Sequence, residues 1–362
     1  MTIKKKKWIL ILSACIAIVL IAEVALRFCE EYVYSTSYHP AGDVVDLRAL
    51  NYNDSLVQKS KPQGEFRILS FGDSFCHATV NESASYNGVL QKLLQDSGRN
   101  VRVVNLGEPI SSVPQYLAAM KNWLPQIKHD AVLVNIFSIN DLGEIIRREV
   151  GDEDRLNNTM GGHFLDSHTG RKRMWHPPHL FPLRLLDFAH AVYSYYRLGP
   201  SVPYSVPEPY TLALGPMPPE QFARVSERNL EICRIASQKS LRPALERVAA
   251  LARYLSSLRA DGTRVLILLS PAEVQINPEL FKETARRLQS DPSLFDLDLP
   301  NRLVAETIRM VDPSLEIMDL TPLLQTAMNH GRNPYYPSDA HWDVQGNRLV
   351  GETLAAWIAT HW

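Results

Sequence analysis

From Glu65 onward, short unbroken apolar runs alternate with stretches of helical spacing. The runs are FRILSF (66–71), VRVVNL (101–106), AVLVNIF (131–137), RVLILLS (264–270) and the shorter LEIMDL (315–320). Their Val, Ile and Leu residues are continuous rather than alternating with polar ones, the pattern of parallel strands covered on both faces. Between them, YNGVLQKLLQDSG (86–98) carries helical spacing and stops at Gly98. Repetition of this kind predicts an α/β chain: a three-layer α/β/α sandwich with a mostly parallel five-stranded sheet.

Two stretches break the rhythm. Residues 29–64 are mixed and polar with no sustained period, and read as a membrane-proximal lead-in rather than a domain. The interval between the third and fourth runs predicts an insertion at about 142–230 in a domain spanning 65–362. Its first part (176–210) is rich in Pro, His and Tyr. Residues 218–262 read as one or two helices, with Pro243 kinking them or opening a new start.

The N-terminus has a different pattern. Lysines 4 to 7 precede an apolar run from Trp8 to Leu26, about one bilayer thickness as a helix. Residues 1–28 therefore read as an uncleaved signal anchor, with the lysines cytoplasmic and the body of the chain periplasmic or extracellular. The alternative is a lipoprotein, because LSAC (12–15) has the form of a cleavage box with Cys15 as the lipidated residue. Against it, only a short apolar stretch precedes Cys15, and IAIVLIA follows where a lipoprotein normally turns polar.

Composition narrows the classes. An apolar fraction of 45% suits a chain that buries a real core, and a net charge of -1 without a basic stripe argues against a nucleic-acid partner. Four scattered cysteines (Cys15, Cys29, Cys76, Cys233) make no disulfide framework and no CxxC zinc pair. His163, His168, His176 and His179 are spaced too irregularly for a metal site, so neither metal nor cofactor is expected.

In an open parallel sheet, ligands gather at the carboxyl ends of the strands. After the first run come Gly72, Asp73 and Ser74. After the second come Gly107, Glu108 and the PISS turn, and after the third SIND, with Asn140 and Asp141. SPAEVQ with Glu273 follows the fourth, and YPSDAHWDVQG with Asp339, His341 and Trp342 follows the fifth. One hydroxyl nucleophile, one side-chain amide and one Asp–His pair can thus reach one edge. A free serine hydroxyl needs a base, which imidazole can be, and the imidazole needs an orienting carboxylate. Asp73 and Asp141 read as structural, and His77 as a solvated histidine. Trp342 reads as packing beside His341 or forming pocket wall, and Glu273 as facing either pocket or solvent.

These blocks resemble those of the SGNH/GDSL hydrolases: FGDSF the nucleophile block, NLGEPISS the glycine block, SIND the asparagine block and SDAHWDVQGNRLV the Asp–His block. The resemblance covers roughly residues 65–362 outside the insertion, and implies a flavodoxin-like sheet and an acyl-transfer triad of Ser74, His341 and Asp339. It assigns the oxyanion site to Asn140 with backbone N–H groups of Ser74 and of the glycine block, near Gly107 and Ile110. Trp342 and Glu273 are the candidate substrate contacts. Two departures stand out: Ser138 replaces the glycine that usually opens the third block, and Ile110 stands where the donor glycine is common. Many members place the Asp three before the His, where this chain has Ser338. The DxHW form instead resembles the branch of membrane-anchored polysaccharide O-acetyltransferases. That implies an acylated carbohydrate or other ester as substrate, with envelope polysaccharide-modification proteins as partners. A non-catalytic envelope protein that binds glycan or a membrane partner is the alternative.

Overall fold

The computed structural model describes residues 17–25, 43–48, 52–109, 111–150, 164–165, 172–173 and 217–362. The chain divides into two compact units, Met1–His39 with Gly151–Pro203, and Pro40–Val150 with Tyr204–Trp362. In the first, the described residues are a helical stretch over 17–25 and a two-stranded ladder of Phe164–Leu165 with Lys172–Arg173. Among the described residues no helix is long and apolar enough to cross a membrane, and most of the expected anchor lies outside them. Cys15, Cys29, His163, His168, His176 and His179 also lie outside the described residues, as does most of the expected insertion.

The second unit is built on five strands: β1 (Phe66–Gly72), β2 (Val101–Asn105), β3 (Ala131–Ile136), β4 (Arg264–Leu269) and β5 (Glu316–Asp319). Their order is β2-β1-β3-β4-β5, and every neighbouring pair is parallel, so the sheet is wholly rather than mostly parallel. Strands β1 and β3 are buried along nearly their whole length, the physical reason their sequences read as unbroken apolar runs. Ile68, Val101, Val103, Ala131, Leu133, Leu266 and Leu268 share one core with helices α2 (Tyr86–Asp96) and α7 (Val344–His361). Alternate residues point to the other face. There, α3 (Val113–Trp123), α4 (Ser138–Val150), α5 (Arg242–Ala260) and α6 (Leu299–Val311) form the third layer. Pro243 opens α5, where a missing N–H costs nothing, rather than kinking a longer helix.

The stretch that reads as a lead-in is, from residue 43, part of this unit. Val44–Asp46 pairs antiparallel with Leu56–Gln58, and Tyr52 is buried edge-on against Trp123, whose indole N–H donates to its hydroxyl at 3.0 Å. The amide of Asn53 donates to the carbonyls of His77 (2.7 Å) and Val80 (2.8 Å), pinning the chain just past the nucleophile block. Asp54 accepts from the Asn105 N–H and the Arg102 guanidinium at the end of β2. A polar composition hides this role because these side chains act by saturating backbone groups, which needs no apolar period.

Candidate active site

Strand β1 ends at Gly72 against β3, with Gly72 in register opposite Asn135. A Cβ at Gly72 would lie 2.7 Å from the Asn135 carbonyl oxygen and 2.7 Å from Cys76 Cβ, so only glycine lets the chain turn here. The turn leads into a short helix, α1 (Ser74–His77), capped by Asp73, whose Oδ1 accepts from the Phe75 N–H at 2.9 Å. Ser74 is the first helical residue. Its N–H donates to nothing among the described residues, as the geometry of a helix start dictates.

The loop before α7 brings Asp339 and His341 to this point. His341 Nδ1 lies 2.8 Å from Asp339 Oδ1, and Nε2 lies 2.9 Å from Ser74 Oγ. With its proton on Nδ1, held by the carboxylate, the imidazole leaves Nε2 to accept from the serine hydroxyl. Asp339 is buried, while Ser74 and His341 keep partial exposure.

Backbone strain marks this loop. Asp339 sits between Ser338 (φ 58°) and Ala340 (φ 66°), both in the left-handed region that side chains other than glycine avoid. Bonds on either side hold the conformation: Tyr336 N–H to the His341 carbonyl (2.9 Å), Met217 N–H to the Ser338 carbonyl (2.8 Å) and Thr79 Oγ1–H to the Trp342 carbonyl (3.3 Å). Ala340→Gly should therefore stabilise the fold by about 1 kcal/mol, the relieved strain less the added unfolded-state entropy. The same change should lower kcat/KM about tenfold by loosening the Asp–His geometry. Urea denaturation and ester kinetics on the one variant check both signs; a more active variant would show that the strain does not serve orientation.

The expected oxyanion residues divide. Asn140 stands in the first turn of α4, half-buried, at the carboxyl edge of the strand next to β1. Ser138, in place of the usual glycine, is fully buried at the start of that helix. Gly107 is not a free donor, because its N–H is taken by Asn105 Oδ1 at 3.0 Å. What requires glycine there is close packing, since a Cβ would fall 2.3 Å from the His77 amide nitrogen. The N–H groups of Leu106, Glu108, Ser111 and Ser112 are likewise committed, to the carbonyls of Ser70, Gly72 and Glu108 and to Gln115 Oε1. Ile110 lies outside the described residues.

The two candidate substrate contacts are corrected. Trp342 is buried, edge-on to Phe75 with ring centroids 4.6 Å apart, and so supports the site from behind. Phe137 meets Phe75 at the same separation, and His341 lies over Phe75 at 5.5 Å. This aromatic floor was not singled out in the sequence, although Phe75 and Phe137 each adjoin a block residue. Glu273 is not solvated: it is buried, accepts from Asn277 (3.1 Å) and Asn333 (3.0 Å), and burial raises its pKa. His77, expected in solvent, is buried with Nδ1 3.1 Å from the Ala78 carbonyl oxygen. Cys76 and Cys233 are buried free thiols. Burial pushes the Cys76 thiol up to about 11, which leaves it inert beside Ser74.

Comparison with known proteins reaches part of this site. Residues 234–361 match a family model described as the SGNH hydrolase-like domain of acetyltransferase AlgX, a span that holds Asp339 and His341 but not Ser74. No curated protein matches. Solved structures similar to the chain include an acetylxylan esterase, Axe2, from Geobacillus stearothermophilus, with 13% identity, 82% of this chain and 95% of that chain covered, and a TM-score of 0.42. TesA is similar at 14% identity, covering 82% of this chain and 98% of its own, with a TM-score of 0.38. A lipolytic protein of the G-D-S-L family from Veillonella parvula has 16% identity, covers 82% and 100%, and scores 0.37. Through residues 234–361, the family to which this chain is matched is that of the SGNH hydrolase-like domain of acetyltransferase AlgX.

Proposed function

We propose that this chain is a membrane-anchored, extracytoplasmic serine esterase or O-acyltransferase. Its substrates would be acyl esters, acetyl above all, of cell-envelope or exported polysaccharide. The observation that carries the reading is the unbroken hydrogen-bonded chain from Asp339 through His341 to Ser74. The acetyltransferase family match over residues 234–361 supports the acetyl group, and the basic cluster before the apolar run at residues 8–26 supports the anchor and its orientation.

In the mechanism, Ser74 Oγ attacks the ester carbonyl as its proton passes to His341 Nε2, and Asp339 stabilises the imidazolium so formed. The Ser74 N–H and the Asn140 amide are the donors for the oxyanion. His341 then returns the proton to the departing alkoxide. Deacylation by water completes an esterase cycle, and deacylation by a sugar hydroxyl completes a transfer.

A fluorophosphonate probe should label the full-length protein in membranes, and should fail to label Ser74→Ala and His341→Ala. Absence of label on the wild type, with no acetate released from an activated ester, overturns the reading. Adding an oligosaccharide acceptor separates the two enzymes: a transferase diverts the acetyl group to sugar, an esterase still releases acetate. The non-catalytic reading has one observation in its favour, the committed N–H groups of the second block, and would give an unlabelled protein that still binds the oligosaccharide.

A further inference from the structure

Two aspartates that the triad does not use flank its machinery. Asp73 precedes Ser74 and Asp141 follows Asn140. Both are fully buried, at 1% and 0% exposure, one at the start of α1 and the other in the first turn of α4. Parallel pairing of β1 with β3 sets those two helix starts side by side. Neither carboxyl has a Lys or Arg partner among the described residues. Asp141 takes the Tyr116 hydroxyl of α3 on both oxygens, at 2.9 and 3.0 Å, beside the Phe137 backbone N–H, and Asp73 Oδ2 has no hydrogen-bond partner among the described residues.

Two buried carboxylates within each other's field and without a cation cannot both stay ionised. We infer that Asp73 and Asp141 share at least one proton at neutral pH, and that this proton holds the nucleophile helix and the Asn140 turn at their working separation. They are positioning residues, and the inference rests on the acyl-transfer reading for its kinetic consequence only. Burial lifts Asp73 from 3.8 to about 7 and Asp141 well above its usual value, with the Asp73 charge raising it further. The other titratable groups facing the pair are Tyr116 from α3, His341 from the Asp–His block, Cys76 from α1 and Glu144 from α4. His341 opposes the rise in Asp73 without cancelling it. When the last proton leaves, repulsion acts between the two helix starts that carry Ser74 and Asn140.

Folded-state pKa values above the unfolded ones mean that the folded chain binds protons more tightly. Their contribution to stability is therefore full below about pH 4 and is lost as pH rises through about 7. The test uses the full-length protein, Asp141→Asn and Asp73→Asn, since each amide keeps the size and the acceptor oxygen while removing the charge. Thermal denaturation from about pH 4 to about pH 9 should give a wild-type midpoint that falls with pH and a flatter curve for both variants. Ester hydrolysis by the wild type should fall about tenfold per pH unit on the alkaline side, and Asp141→Asn should abolish that limb. If the variants' midpoint curves run parallel to the wild type, or Asp141→Asn keeps the alkaline limb, the inference is wrong. If the midpoint curves differ as expected but no protein hydrolyses ester, the shared proton stands and the acyl-transfer reading fails. Should Asp141→Asn not fold, Asp73→Asn carries the same two readouts.

Discussion

Ser74→Ala is expected to lower kcat/KM for an activated acetate ester by at least about ten-thousand-fold, and His341→Ala by a similar factor. The double variant should be no worse than either single one, because nucleophile and base act as one unit across the 2.9 Å bond between Oγ and Nε2. Additive losses would mean that the two side chains work independently and that the bond is not the catalytic one. The serine change should leave stability within about 0.5 kcal/mol, since it removes one partly exposed hydroxyl from a helix start. Loss of activity with an unchanged denaturation midpoint therefore separates chemistry from folding.

Asp339→Asn is expected to lower kcat by about ten-thousand-fold with little change in KM. The carboxylate accepts from Nδ1–H at 2.8 Å, which keeps Nε2 unprotonated and facing Ser74. An asparagine amide turned toward the ring donates to Nδ1 instead, so the proton moves to Nε2 and the base is lost. The buried position of Asp339 strengthens this switch, because a hydrogen bond counts for more where the local dielectric is low. A loss smaller than about tenfold would show that the strained turn at Ser338 and Ala340, rather than the charge, orients the imidazole. The Ala340→Gly variant reads the same question from the backbone side.

The sheet was legible because four of its five strands, all but β5, are buried on both faces over most of their length. A residue such as Val132 or Ile267 has no solvent side, so its neighbours in sequence must be apolar too, and the run shows without any alignment. The approach of Ser74, His341 and Asp339 was legible because Ser74 stands just past a strand end, where a parallel sheet gathers ligands, and because Asp339 and His341 are two residues apart. The roles of Glu273 and Trp342 were not legible. Whether a side chain after a strand faces a pocket or the interior depends on a single backbone rotation, and both turned inward. The lead-in was misread for a related reason: Tyr52, Asn53 and Asp54 earn their place by hydrogen bonds to residues 20 or more positions away, which leave no period in the chain.

By itself, then, the amino-acid order pointed to the five strands of the sheet, put Ser74, His341 and Asp339 forward as candidates for one edge, and carried the apolar run at the N-terminus. Local physics sufficed there, since burial on both faces dictates composition and a parallel sheet gathers its polar residues after the strands. Only the tertiary structure decided how the remaining groups divide their hydrogen bonds. It committed the Gly107 N–H to Asn105, turned Trp342 under Phe75, and set Asp73 and Asp141 at neighbouring helix starts with no Lys or Arg partner among the described residues. Each of those outcomes is a competition for partners among residues distant in sequence, and only the folded chain brings the competitors together.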